Sequence, residues 1–226
     1  MKSDPKVAGD ELMLKASRAF ARQKLQRAYD AYGEAVESYS LCAPPPHDRM
    51  ALAYYTRAML VLRGDAAGDV GSDLDEGDRV AANDFDQARR FRGLFTFARA
   101  SRRRMDDEFE AAQDLIDRAR GELAEAGRPL DLFEVECEQA RLDGDRDRRE
   151  AAIEAVAKAE SFAATPAHQL AARTLLADLH EAWGDDVGCA AALERAASLA
   201  FDHKMKAELT DLRARLKYYA KRDIGG

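Results

Sequence analysis

The sequence predicts an all-α protein built from antiparallel pairs of helices. Only six prolines and fourteen glycines occur in 226 residues, and the stretches between them are rich in Ala, Leu, Arg and Glu, which are good helix formers. Apolar residues recur three and four positions apart, as in Ala112, Leu115, Ile116 and Ala119, and this spacing gives a helix one apolar stripe to bury. No segment alternates at period two long enough to indicate a strand.

The apolar spacing and the positions of proline and glycine divide the chain into ten predicted helices. The last of them has no partner helix and carries apolar residues opposite many charges, which is typical of a helix that caps a stack. The predicted helices span residues 9–29, 31–42, 47–63, 79–105 with a break expected near Gly93, 107–126, 130–143, 147–163, 167–183, 186–200 and the capping helix 203–221.

The segment 64–78 stands apart because it is rich in glycine and in Asp and Glu and contains no aromatic residue. Such a composition buries little apolar surface to offset the entropy cost of ordering. We expect an acidic flexible loop here, which interrupts the pattern of helix pairs. A long loop in a compact domain is often functional, so a docking or cation-attracting role for this loop is an alternative.

A spacing of small and bulky residues repeats along the predicted pairs, and we call it the crossing register. A small residue is followed after twelve positions by a second small one, after four more by a bulky apolar one, and after three more by a third small one. Small residues at these points let two helices approach closely. Three pairs fit: Ala100, Ala112, Ile116, Ala119; Ala140, Ala152, Val156, Ala159; and Ala177, Cys189, Leu193, Ala196.

The crossing register resembles that of the tetratricopeptide repeat, a helix-turn-helix unit of about 34 residues. The clearest copy includes Gly184 in its turn. The first pair matches in its second helix, at Ala35, Tyr39 and Cys42, with Gln23 where a small residue is expected. The resemblance implies a right-handed α-solenoid of about five units plus the capping helix, forming a single domain over residues 1–226. The second unit has a candidate first helix but no recognisable second half.

Charge and cysteine content limit the classes of partner and compartment. The formal net charge is -7 and the pI is near 5.3, which disfavours non-specific binding to nucleic acid or anionic lipid. Cys42, Cys137 and Cys189 are odd in number and widely spaced, as expected of reduced thiols in a cytoplasmic protein. The longest aliphatic run, 58–62, is too short to span a bilayer. We expect neither nucleic-acid binding nor membrane insertion.

Two stretches resemble chemical sites but fit structural roles better. Residues 179–196 bring His180, Asp185 and Cys189 close in sequence, yet the chain has no zinc-ligand spacing. Residues 143–154 offer carboxylates at calcium-loop positions, but Arg148 stands where a glycine must permit the turn. Phosphate-loop, nucleophile-elbow and metalloprotease motifs do not occur. The sequence therefore predicts a protein that is not an enzyme and has no cofactor and no metal.

The stretch 88–105 interleaves arginines with phenylalanines, a combination that nucleic-acid-binding proteins also use. The phenylalanines are better explained as the apolar face of the helix, and the Asp and Glu residues that follow would neutralise much of the basic field. An acidic protein or peptide partner is therefore favoured over nucleic acid. The resemblance implies that the first helix of each pair lines a concave groove that binds an extended peptide or a partner helix. The positions that it assigns to this groove are Lys24, Arg27, Tyr55, Phe97, Ser101, Arg104, Arg141, Thr174, Asp178 and Glu181.

The predicted function is that of a non-catalytic adaptor or scaffold, whose groove arginines would form charge-assisted hydrogen bonds with an acidic segment. Two alternatives remain. A self-assembling structural scaffold would dock exposed helix ends onto a neighbouring copy. A ligand-sensing regulatory domain would bind a small molecule and act on a separate effector chain.

Overall fold

The computed structural model describes residues 4–222, with side chains through residue 219, and confirms the all-helical prediction. Over this range the chain forms eleven α-helices and no strand. None of these helices combines the length and the apolar character needed to cross a bilayer. The helices are α1 (Pro5–Ala21), α2 (Leu25–Ser40), α3 (His47–Leu62), α4 (Val70–Ala81), α5 (Ala88–Met105), α6 (Phe109–Ala126), α7 (Pro129–Asp145), α8 (Arg149–Phe162), α9 (Pro166–Ala182), α10 (Asp186–Asp202) and α11 (Lys206–Arg222).

The helices form two compact units, residues 1–126 and 127–226, where the sequence alone suggests one repeat domain. In unit 1, α1 packs on α2, α3 on α4, and α5 on α6; α3 also contacts α5. In unit 2, α7 packs on α8 and α9 on α10, α7 also contacts α9, and α11 packs on α10. Consecutive helices therefore pair as predicted, and in each unit the first helices of two successive pairs also touch.

The crossing register extends through all five pairs. The three predicted sets are buried, and two more occur in the first 80 residues: Ala16, Ala28, Tyr32 and Ala35, then Ala58, Val70, Leu74 and Gly77. Of these twenty residues only Val70 departs from the expected size class. Small side chains at the helix crossings, with one bulky side chain beside them, explain why the two helices of each pair pack closely.

The crossing register of the first pair begins seven residues earlier than the sequence predicts, at Ala16 rather than at Gln23. The predicted helices 9–29 and 31–42 are in fact α1 and α2, separated by a turn at residues 22–24. Gln23 is the central residue of this turn, at φ 55°, and is not a helix-crossing residue. The small residue of α1 is Ala16, which is fully buried. The predicted assignment to Ala35 and Tyr39 was about two helical turns too late, because Ala28 and Tyr32 occupy those register positions.

The prediction of a flexible loop over residues 64–78 was wrong for most of the segment, because residues from Val70 onward form α4. The Asp69 side chain caps this helix by accepting a hydrogen bond from the Ser72 amide at 3.1 Å. Val70, Leu74 and Gly77 lie on the buried face, at the three- and four-residue spacing of a helical stripe. The acidic composition of the segment obscured this apolar stripe in the sequence. Helix α4 is the second helix of the second pair, which was not recognisable from the sequence.

The predicted helix 79–105 was also wrong at its start and at its break. The interruption falls between α4 and α5, at residues 82–87, and α5 runs without a break through Gly93. A side chain at Gly93 would press on Leu123 of α6, with its Cβ 2.8 Å from Leu123 Cγ. Gly93 therefore permits the close approach of α5 and α6.

Five of the inter-helix turns share one backbone geometry. Their central residues are Gln23, Asp107, Asp147, Gly184 and Lys204, and all have φ between 52° and 69°. In each turn the next residue donates its amide to the carbonyl five positions earlier, as Asp185 does to His180 at 2.9 Å. This is the Schellman motif, which satisfies the last carbonyls of the preceding helix. Glycine adopts the left-handed conformation without steric cost, whereas other residues do not.

Exchanging glycine between two of these turns should change stability in opposite directions. Nothing lies within 4 Å of a Cβ added at Gly184, so Gly184→Ala should cost about 1 kcal/mol through backbone strain alone. Lys204→Gly should instead stabilise unit 2 by up to ~1 kcal/mol. Urea unfolding followed by the fluorescence of Trp183, the one tryptophan of the chain, measures both. Equal signs for the two substitutions would contradict the shared turn geometry.

Candidate functional site

The candidate site in unit 2 is a cleft of about 420 Å³ along one face of α9, and we call it the unit-2 groove. The N-terminus of α9 is fixed by Pro166 and by Thr165, whose side chain accepts a hydrogen bond from the His168 amide. One wall is α7 and the other is the start of α11. The groove is lined by Arg141, Ala167, Leu170, Ala171, Thr174, Leu175, Asp178, Met205 and Glu208.

The floor of the groove is apolar. Leu170 and Leu175 are more than nine-tenths buried, and they present part of their surface between the exposed Ala167 and Ala171. Met205 closes one side and packs against the core of unit 2. An apolar floor with polar groups at its edges is the usual construction of a site that binds a peptide or a small ligand. Three residues expected at the concave face, Arg141, Thr174 and Asp178, meet here.

Arg141 carries little uncompensated charge. Its Nη1 atom lies 3.1 Å from Glu138 Oε2, and the Glu138 side chain is only 4% exposed while that of Arg141 is 41% exposed. A buried carboxylate needs a partner of opposite charge. The positive charge on this wall of the groove is thus already balanced by α7 itself.

Asp178 lines the other end of the groove, and it shares one arginine from α11 with Glu181, which lies three positions further along α9. Arg215 Nη2 is 2.8 Å from Asp178 Oδ1 and 2.8 Å from Glu181 Oε2. The two carboxylates hold the pKa of the Arg215 guanidinium above its ordinary value against the effect of partial burial, which acts to lower it. One cation between two anions leaves this end negatively charged.

The groove residues predicted in unit 1 differ in exposure and in the elements to which they belong. Lys24 and Arg27 are exposed, but they belong to the turn and to α2 rather than to the first helix. Tyr55 is half-buried on α3 and makes an edge contact with Phe95. Phe97 is 2% and Ser101 5% exposed, so neither can line a surface. These residues occupy the positions that the crossing register assigns to a groove, but their exposure does not match that of a groove lining.

The arginines at the end of α5 are paired within unit 1. Arg104, a predicted groove residue, is half-buried and interacts with other residues of the chain. Three neighbouring arginines form ion pairs: Arg99 with Asp75 and Asp78 at 2.8 and 2.6 Å, Arg102 with Asp106 at 2.7 Å, and Arg103 with Glu108 at 2.5 Å. These ion pairs offset the positive charge on which the expectation of an acidic partner depends.

The chemically rich stretch 179–196 forms the turn between α9 and α10. His180 Nδ1 donates to Asp185 Oδ2 at 2.8 Å, and Asp185 Oδ1 accepts from the Gly188 amide at 2.9 Å. The Gly188 amide and then His180 hold the pKa of Asp185 below its ordinary value. Asp185 therefore acts as a helix cap held in place by His180.

The two buried cysteines are unsuited to nucleophilic chemistry. Burial raises the pKa of the Cys137 thiol to about 12 and also raises that of Cys189, whereas a reactive cysteine needs a lowered pKa. Within residues 4–219, no group of three or more His, Cys, Asp or Glu side chains is placed to hold a metal ion.

No protein-family model matches this chain, and no curated protein sequence is significantly similar to it. The resemblance to the tetratricopeptide repeat therefore depends on the crossing register and the shared turns. The described residues define a class of protein rather than a family: an all-helical chain of successive helix pairs, with an apolar-floored groove between the first helices of its second unit.

Proposed function

We propose that the protein is a non-catalytic interaction module of tetratricopeptide-repeat type, which binds a peptide segment of a partner protein in the unit-2 groove. The observation that carries the proposal is the juxtaposition of Arg141, Thr174 and Asp178 around an apolar floor on the first helices α7 and α9. An extended peptide laid along α9 would bury apolar side chains on that floor and hydrogen-bond to the polar edge.

The size of the groove is consistent with a short segment rather than a whole domain. A cleft of about 420 Å³ falls within the usual range for ligand sites, roughly 300 to 1,000 Å³. A small-molecule sensor would use the same cleft, but the open side and the charged rim of the cleft favour a ligand that continues beyond it.

Self-assembly is a second candidate function. It is favoured by Val187 and Phe201, which are 76% and 64% exposed at the two ends of α10.

Blocking the groove floor should abolish peptide binding without unfolding the protein. Ala171 is exposed on the groove floor, so Ala171→Trp fills the cleft without entering the core. Peptides selected from a random phage-displayed library on the full chain should bind at least roughly tenfold more weakly to this variant, because their apolar side chains lose the floor. Fluorescence anisotropy with labelled synthetic copies of the selected peptides measures the affinities.

The matched control is Ala157→Trp, which adds the same ring to an exposed alanine of α8 that does not line the groove. It should leave binding unchanged. If no peptide is selected, or if Ala171→Trp and Ala157→Trp have equal effects, the groove is not the binding site. Concentration-dependent mass measured by light scattering tests self-assembly separately, and Phe201→Ser should lower any association.

A further inference from the structure

The carboxylates around the unit-2 groove indicate the chemistry of its partner. Asp178 and Glu181 share the single guanidinium of Arg215. Across the groove, Glu208 stands exposed in the first turn of α11 and makes no ion pair within residues 4–219. Arg141 is balanced by Glu138. Once the Arg141–Glu138 pair is set aside, Asp178 and Glu208 in the groove and Glu181 beside it are accompanied by one arginine, Arg215, and the negative charge is in excess.

The two nearby lysines do not cancel this excess. Lys204 is exposed in the turn before α11 and does not line the groove. Lys206 precedes Glu208 by two positions, which places it about 200° around the axis of α11, away from the groove. Asp211 follows Glu208 by three positions and so lies on the same side of the helix, about one turn further along. The wall formed by α11 therefore presents acidic groups toward the opening of the groove.

From this placement we infer that the unit-2 groove takes a cationic segment of a partner protein, in which one or two Lys or Arg residues flank apolar ones. The apolar residues would cover Leu170, Ala171 and Met205, and the basic residues would reach Asp178 on one side and Glu208 on the other. The inference rests on the proposed function, and it reverses the partner charge that the arginines of α5 suggest from sequence alone. Charge complementarity of this kind selects among partners and raises the association rate.

Peptide selection on the full chain tests the inference directly. Peptides of twelve residues from an unbiased phage-displayed library should be enriched in Lys and Arg beside apolar residues. Their affinity should fall several-fold when salt is raised from about 50 to 500 mM, because the rim charges are exposed to screening. Glu208→Lys should weaken their binding about tenfold.

The control is Glu194→Lys, which makes the same charge change at an exposed position of α10 outside the groove. It should change affinity less than twofold. Selected peptides that Ala171→Trp excludes but that are acidic, or that bind Glu208→Lys more tightly, would overturn the cationic assignment and leave the proposed function standing. Equal losses for Glu208→Lys and Glu194→Lys would also overturn it. Peptides indifferent to Ala171→Trp would instead overturn the proposed function.

Discussion

Replacing Gly77 with alanine should lower the free energy of unfolding of unit 1 by about 1 to 3 kcal/mol, the usual cost of overpacking a core. Gly77 is the third small residue of the crossing register in the second pair and faces Phe95 of α5. An ideal Cβ at this position would overlap the Cε1 and Cζ atoms of that ring. Phe95 is fully buried, so its ring has no room to move aside.

Gly121 provides a matched control because it lies in the interior of α6 as Gly77 lies in α4. A Cβ added at Gly121 would meet nothing within 4 Å, and the residue is exposed. Gly121→Ala should therefore stabilise unit 1 by about 0.5 to 1 kcal/mol through helix propensity. Urea unfolding followed by circular dichroism, with hydrogen exchange of peptides from α4 and α6, measures both. A stabilising Gly77→Ala would show that α4 does not pack on α5 through this face.

The second large effect is a pH dependence that originates at Asp73. This residue is 2% exposed, and its Oδ1 lies 3.1 Å from Nη2 of Arg57, whose guanidinium stacks over the ring of Tyr29. Asp73 Oδ2 has no hydrogen-bond partner in the described structure. Burial raises the pKa of the Asp73 carboxyl to about 6, although Arg57 and Tyr29 act in the opposite direction.

A carboxyl whose pKa is higher in the folded than in the unfolded state takes up a proton on folding. Its contribution to stability is fully present below the ordinary pKa of 3.8 and is lost as the pH rises through about 6. The free energy of unfolding of unit 1 should thus increase by about 1 kcal/mol as the pH falls from 7.5 to 5, because pH 5 lies about one unit below the folded-state pKa. Working above pH 5 avoids the titration of carboxylates with lowered pKa values, such as Asp75 and Asp185.

Asp73→Asn tests this assignment because the amide cannot titrate. The substitution also removes the ion pair to Arg57, which shifts stability at every pH but leaves no slope from this site. The difference in unfolding free energy between the native chain and Asp73→Asn, measured by urea unfolding at pH 5, 6 and 7.5, should change across the series. Parallel profiles for the two proteins would exclude Asp73 as the source.

The spacing of small and apolar residues was sufficient to predict a helix pair where the turn between the two helices was also marked in the sequence. In unit 2, the register of Ala140, Ala152, Val156 and Ala159 gives the correct pairing of α7 with α8. The pattern was misapplied in the first pair because the turn there lacks the turn-forming aspartate that marks the turns at Asp107 and Asp147. Gln23 adopts the left-handed conformation instead, and a glutamine gives no sequence signal of a turn.

The candidate site shows the same division between what local sequence predicts and what contacts decide. Arg141, Thr174 and Asp178 follow from the register and do line one groove. Met205 and Glu208 were missed because they belong to the capping segment, which the register does not cover. Phe97 and Ser101 occupy the register positions expected to face the groove and are nevertheless buried. Exposure depends on what else packs on a helix, and the spacing within that helix does not specify it.

The sequence by itself determined that the chain is helical and that its helices pair, since both follow from apolar and small residues at fixed intervals along one segment. Only the tertiary structure decided which charges remain available to a partner. Arg99, Arg102 and Arg103 form a basic run in sequence, but carboxylates from α4 and from the turn after α5 neutralise them. Coulomb interactions depend on distance in space, so the sign of a surface is set by contacts between helices rather than by the order of residues along the chain.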